Sequence, residues 1–264
     1  MKHRPVCIYD RSTTPQDLGI SCNAIIVQTP EDYIKNIKHL RGPLIVQGVA
    51  PMYAEAQRQA KKNGIDYYNI DNGYFGNFKK KIWFRVTKNN LQLSGSLIKR
   101  KGDRVKLAGV GLKEWDKRGS RILICQPSKW SAEYFGYSIE DWTDRTVEEV
   151  RRHTNRGIVI RPKPRARADR IKGPNTLVEQ IKDDILCVVT SNSLVATESI
   201  INGIPAFVTE NNAASAVSLS DLSKINTPAY LDRKKWIRHL SYGQFTREEL
   251  KNGYAWSILN ENSK

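Results

Sequence analysis

TSNSLVATESIINGIPAFV, residues 190–208, decides how the rest of the chain is read. It continues the apolar run DILCVVT (184–190), which has the length and composition of a buried parallel strand. The strand's mouth is polar: Ser191, Asn192, Ser193. A helix-like segment follows, apolar at Leu194, Val195, Ile200 and Ile201, with one carboxylate, Glu198. Gly203 stops it and Pro205 resets the chain into a second apolar run. Strand, helix, strand in this spacing is a βαβ unit of a parallel sheet. Such sheets bind ligands beyond the carboxyl ends of their strands. A helix starting near Ser193 directs free N–H groups and a positive dipole end there. Small hydroxyl and amide side chains add donors without bulk, and a carboxylate close by suits the neighbouring hydroxyls of a ribose. The alternative is a serine cap and a solvent-facing glutamate.

RPKPRA (161–166) also ends a strand-like run in this half, bringing Arg161, Lys163 and Arg165 to the same rim. Cations there would neutralise a departing diphosphate. The chain has no G-x-G-x-x-G and no G-K-[ST], so neither a standard dinucleotide site nor a P-loop is expected, and a nucleotide-sugar epimerase is disfavoured.

Outward from this unit, RILICQPS (121–128) and GIVIRPKP (157–164) read as strands, SIEDWTDRTVEEVRRHT (138–154) as an amphipathic helix, and NTLVEQIKD (175–183) as a short helix capped by Asn175. The amino-terminal half repeats the pattern. PVCIYD (5–10), AIIVQ (24–28), PLIVQGV (43–49) and YYNID (67–71) are strands, with helices at 30–42 and 52–64. The expected architecture is α/β: two doubly wound, Rossmann-like domains facing a cleft, at 1–116 and 117–245. Residues 107–120 are expected to link them, and a helix within 246–264 to return toward the first domain.

Residues 72–106 break the pattern, with Gly, Asn, Lys and aromatics together. Phe75, Phe78, Trp83, Phe84 and Arg85 suit either a stacking surface for nucleic acid or a small hydrophobic platform. The chain has 43 Lys and Arg against 27 Asp and Glu, a net charge of +16. The cations are spread in short clusters, which implies a folded basic surface for a polyanion. Lys79, Lys80, Lys81, Arg85, Arg100 and Lys101 are the expected nucleic-acid contacts. The four cysteines form no C-x-x-C pair, so buried thiols are expected and a zinc site is not. The apolar runs fall well short of the ~20 residues of a membrane helix. Together with an amino terminus lacking a signal-like apolar region, this suggests a cytoplasmic protein.

SNSLVATESIINGIPAFV resembles the carboxyl-domain donor motif of GT-B glycosyltransferases: small polar residues, a helix, Glu, then Gly-x-Pro. The resemblance spans most of 121–210. It implies that Ser191, Asn192 and Ser193 bind the donor phosphate and Glu198 the donor ribose. RPKP resembles the basic-proline segment that some members set against the diphosphate, where many carry His at the position of Arg161. IDNGYFG, WFRVT and FTREELKNGYAW resemble small phage-encoded DNA glycosyltransferases. That implies transfer from a UDP-sugar to a hydroxymethylated pyrimidine in double-stranded phage DNA, within the infected bacterial host. The general base is expected at a strand end of the first domain, at Asp71 in IDNGYF or Asp10 in CIYDRS. No D-x-D pair stands at a strand end, so no tightly held metal or other cofactor is expected, with Mg²⁺ acting only by shielding the released diphosphate. The other readings are a glycosyltransferase acting on a surface glycan and a non-catalytic DNA-binding α/β protein.

Overall fold

The computed structural model describes residues 3–9, 13–76, 82–164 and 176–261. Asp10, Phe78, Lys79, Lys80, Lys81, Arg165 and Asn175 lie outside them. The chain divides into two units, Met1–Leu93 with Tyr242–Lys264, and Ser94–Ser241. The expected boundary at 116/117 therefore falls inside the second unit.

The first unit begins with β1 (Val6–Ile8), α1 (Thr13–Ser21), β2 (Ile25–Val27), α2 (Pro30–Asn36), β3 (Leu44–Gln47), α3 (Pro51–Lys62), β4 (Tyr67–Asn72) and β5 (Trp83–Lys88). The helix starts follow from sequence. Thr29 Oγ1 accepts the Asp32 N–H at 3.1 Å, with Pro30 in the first turn of α2, and Pro51 opens α3. β1 pairs in parallel with β2 and β3, and β3 with β4. Alternation sends Val6, Ile8, Leu44 and Val46 into one apolar cluster with Tyr33, Ala56 and Ala60. It sends Cys7, Ile45, Tyr68 and Ile70 into another with Leu18. Strands covered on both faces read as unbroken apolar runs, which is why they were legible.

The second unit contains α4 (Asp103–Leu107), β6 (Arg121–Cys125), α5 (Lys129–Phe135), α6 (Ile139–His153), β7 (Ile158–Arg161), α7 (Leu177–Ile181), β8 (Ile185–Thr190), α8 (Val195–Ile201), β9 (Ala206–Val208) and α9 (Lys234–Ser241). Its sheet runs β7-β6-β8-β9, every pairing parallel. Ile122, Ile124, Cys187, Val189 and Phe207 pack with Trp142 and Val150 of α6. Leu123, Cys125, Ile185 and Val188 pack on the other face with Leu177 and Ile181 of α7 and Ile204. Ser138 and Thr176 cap α6 and α7 through their hydroxyls.

Residues 107–120, expected to link two domains, are part of this second unit. The Lys113 N–H donates to the Ile201 carbonyl at 2.9 Å and the Asp116 N–H to the Gly203 carbonyl at 2.8 Å. Arg233, buried, donates to the carbonyls of Ile200 and Lys113 at 2.7 Å each, with its guanidinium 3.8 Å from the Trp115 ring centre. This packing explains the glycine of Gly-x-Pro. Gly203 has φ +87°, and a Cβ there would lie 2.0 Å from the Glu114 carbonyl oxygen.

The chain then returns to the first unit as β10 (Gln244–Thr246), α10 (Arg247–Lys251) and α11 (Tyr254–Leu259). β10 lies antiparallel on β5, and β5 antiparallel on β4, giving the order β10-β5-β4-β3-β1-β2. The first sheet is thus mixed, parallel only through β1–β4. The carboxyl-terminal segment supplies an edge strand and two short helices in place of one helix. They are parted at Gly253, whose φ is +85°, and Thr246 and Glu249 form a capping box at the first of them. Among the described residues, Phe75, Trp83 and Phe84 are core, all of them buried. The hydrophobic-platform alternative holds for these rings, and they offer no stacking surface.

Candidate functional site

In the second sheet the connections leave β6 toward β7 on one side and return to β8 on the other. The topological switch point of a parallel sheet lies between such strands, here β6 and β8, at their carboxyl ends. The Ser191–Ser193 stretch leaves β8 at this point. One register row closes the edge: Arg161 of β7 opposite Cys125 of β6, which stands opposite Thr190 of β8. Neighbours in a row point to the same face, so Arg161 shares the Cys125 face. There Cys125 packs with α7 and Ile204, and the charges of Arg161, Lys163 and Glu198 all act on its thiol.

Glu198 lies in the first turn of α8, because that helix starts at Val195 and not near Ser193. Its side chain is half-buried. Burial raises its pKa above the ordinary glutamate value, and the positive charges of Arg161 and Lys163 only partly oppose this. Arg161 is buried and Lys163 half-buried. A carboxylate and two cations are therefore gathered at one sheet edge with the carboxylate under-compensated. Such a group gains from a hydroxyl ligand able to donate to it. Burial pushes the Cys125 thiol up to about 12, which makes it inert packing in this cluster.

The polar mouth is largely committed to the protein's own structure. Ser191 is fully buried and its hydroxyl bonds the Tyr137 hydroxyl. Ser193 is buried, with its Oγ accepting the Val195 N–H at 3.4 Å. Asn192 donates its amide to the Asn211 carbonyl. The residue that shapes this loop is Asn212, fully buried, whose Nδ2 donates to the carbonyls of Ser191 at 3.0 Å and Ser193 at 3.1 Å. Its Oδ1 accepts the Ala214 N–H at 2.9 Å. Asn212 carries none of the sequence signals that pointed to 190–208. The adjacent pair Asn211-Asn212, three residues beyond a buried strand, is the signal that could have marked it. Tyr137 and Glu210 were missed as well. Arg145 lies against the Tyr137 ring at 5.9 Å. Glu210 has a pKa raised by burial, which the charge of Arg145 opposes.

In the first unit, Asp71 and Arg85 are cross-strand partners. Arg85 Nη2 donates to Asp71 Oδ2 at 2.7 Å, its Nε to the Leu91 carbonyl at 3.1 Å and its Nη1 to the Asn72 carbonyl at 3.0 Å. Arg85 is therefore a buried structural cation. The expectation that it contacts nucleic acid is corrected: β5 lies inside the sheet, and the guanidinium is enclosed by its own strand's neighbours. Asp71 keeps a side chain 34% exposed, with Oδ1 accepting the Asn72 N–H at 2.7 Å. The loop after it is fixed by Gln244, whose Oε1 accepts from the Tyr74 and Phe75 N–H groups at 2.7 and 3.2 Å. Arg100 and Lys101 lie in the second unit just before α4, half-buried and exposed respectively.

Among the described residues no group of three or more His, Cys, Asp or Glu is placed to hold a metal ion, and no helix is long and apolar enough to cross a membrane.

No family model matches the chain, and no curated protein matches it in sequence. Among solved structures it is similar to the beta Kdo 2,4 transferase of Thermosulfurimonas dismutans KpsC, at 12% identity and a TM-score of 0.44 over 79% of this chain and 80% of that one. It is also similar to the beta Kdo 2,7 transferase of KpsC from the same organism, at 12% identity and a TM-score of 0.52 over 99% of this chain and 100% of that one. This second likeness, whole chain on whole chain, is one of fold: the architecture is α/β and GT-B-like, a fold that glycosyltransferases use.

Proposed function

We propose that the protein is a glycosyltransferase that moves a sugar from a nucleotide-sugar, a UDP-sugar, to a hydroxymethylated pyrimidine in double-stranded DNA. The observation that carries this reading is the cluster of Glu198, Arg161 and Lys163 at the switch point of the second sheet. In the proposed complex, Glu198 accepts hydrogen bonds from the donor's ribose hydroxyls, and the Asn212-held loop borders the diphosphate. The acceptor hydroxyl oxygen attacks the anomeric carbon, and the bond from that carbon to the diphosphate oxygen breaks. The electron pair leaves with the diphosphate, whose growing charge Arg161 and Lys163 offset. The acceptor proton goes to a carboxylate, which we assign to Asp71: it is partly exposed, at the end of β4, and oriented by Arg85. Mg²⁺ enters only by shielding the released diphosphate.

The net charge of +16 supports a polyanionic acceptor. A second reading draws on the likeness to the KpsC beta Kdo 2,7 transferase: a glycan acceptor. The two separate when the protein is incubated with hydroxymethylated duplex, plain duplex and an oligosaccharide, each with a panel of labelled nucleotide-sugars. Mass spectrometry of the nucleosides should find one added hexose on the hydroxymethylated base alone. Label confined to the oligosaccharide would replace the DNA acceptor with a glycan. No label in any acceptor, unchanged by Glu198→Ala, would leave a binding protein.

A further inference from the structure

Two sequence-distant basic segments meet in the second unit. The Ile98 N–H donates to His239 Nδ1 at 3.1 Å, and Arg104 Nε to the Ser241 carbonyl at 2.9 Å, so residues 98–104 lie against α9. The position of a Cβ on Gly102 is 3.5 Å from Arg238 Nε. Arg100 and Lys235 both act on His239, whose pKa falls through burial first and then through these two charges. The buried side of α9 is Trp236, Ile237, His239 and Leu240, and its exposed side is Lys234, Lys235 and Arg238. Lys99 and Lys101 are exposed beside it. The acidic residues in these two segments are Asp103 and Asp232, both exposed. No ion pair engages Lys99, Lys101, Lys234, Lys235 or Arg238 among the described residues.

We infer that this surface binds the phosphate backbone of a nucleic-acid duplex, an inference that rests on the polyanionic-acceptor reading above. Lys234 and Arg238 are one turn apart on α9, about 6 Å along its axis, and a duplex presents about one charge per 1.7 Å of its length. Cations packed this closely find a phosphate each on a duplex. His239 is held as a hydrogen-bond acceptor by Ile98, so it joins the two segments and adds no charge to the surface.

The test measures binding of a 30-base-pair duplex by fluorescence anisotropy across a salt series, with UDP affinity measured on every variant. Lys234→Ala/Lys235→Ala/Arg238→Ala, all exposed positions, should weaken binding and lower the slope of log K against log salt by about 2 to 3, at ~0.9 per phosphate contact. Lys61→Ala/Lys62→Ala, on exposed residues of α3, should leave the slope as in wild type, and UDP affinity should hold throughout. A triple variant with the wild-type slope would overturn the surface while leaving the acceptor reading standing. Heparin bound through these residues with no duplex binding would overturn the partner. No duplex binding by the wild type would end both this inference and the DNA acceptor.

Discussion

In the first unit the parallel strands lie in the order β2-β1-β3-β4, and in the second β7-β6-β8-β9; in each the chain's second strand lies outside its first. The two units nonetheless use their charges in opposite ways. Arg85 of the first unit gives its donors to Asp71, Asn72 and Leu91 within the structure. Arg161 and Lys163 of the second reach a carboxylate whose burial they do not overcome, so Glu198 stays raised. The contrast shows why a basic composition alone does not locate a site. Arg85 is spent within its own fold, whereas Arg161 and Lys163 act on a carboxylate that burial still holds above its ordinary pKa.

Gly203→Ala should have the largest effect. It forces a side chain into positive φ and into the Glu114 carbonyl, which should cost more than about 3 kcal/mol. Chemical denaturation should show the second unit's transition lost or moved far down. The contrast itself is tested by truncating one cation in each unit. Arg85→Ala removes the donors to Asp71 and to the Asn72 and Leu91 carbonyls and should cost about 1–3 kcal/mol while UDP affinity of the folded fraction stays at the wild-type value. Arg161→Ala should lower turnover about 10²–10³-fold. Equal effects of the two on stability and on UDP affinity would dissolve the distinction between them. Asn212→Ala removes the donors to two loop carbonyls and should cost about 1–3 kcal/mol, read as a lower urea midpoint that bound UDP partly restores.

The candidate site was more legible than much of the fold around it, because its signals are local. A valine-rich strand, small polar residues, one glutamate and a Gly-x-Pro stop all fall within 190–208. The β10–β5 pairing was not legible, because it joins Gln244 to Arg85 across the whole second unit. Arg85 was misread for a related reason. β5 is buried through Trp83–Thr87 on both faces, so no polar-apolar alternation marks which way its cation points. The 107–120 segment has linker composition, and only the contacts of Trp115 with Arg233 and of Glu114 with Gly203 reveal it as packed structure. Asn212 acts through a carboxamide whose partners are carbonyls about twenty residues back.

The smallest effect expected is one of pH. Glu198 has a folded-state pKa above its unfolded value, so the folded state holds its proton longer. Its contribution to stability is complete at acid pH and is lost as pH rises from about 4.5 through the folded value. Glu198→Gln should therefore gain stability relative to wild type as pH rises from 4 to 8, seen as a widening difference in Tm. A difference that narrows over that range would mean that Arg161 and Lys163 dominate the site and that Glu198 is not under-compensated.

The proposed transfer requires this edge of the second sheet to hold a nucleoside diphosphate through Glu198. Calorimetric titration of UDP into wild type and Glu198→Gln at pH 7.5 tests it most directly. The wild type should bind, and the variant, still folded, should bind about 10- to 100-fold more weakly, the value of one hydrogen bond to a charged group. Equal affinity in the two proteins would contradict the account.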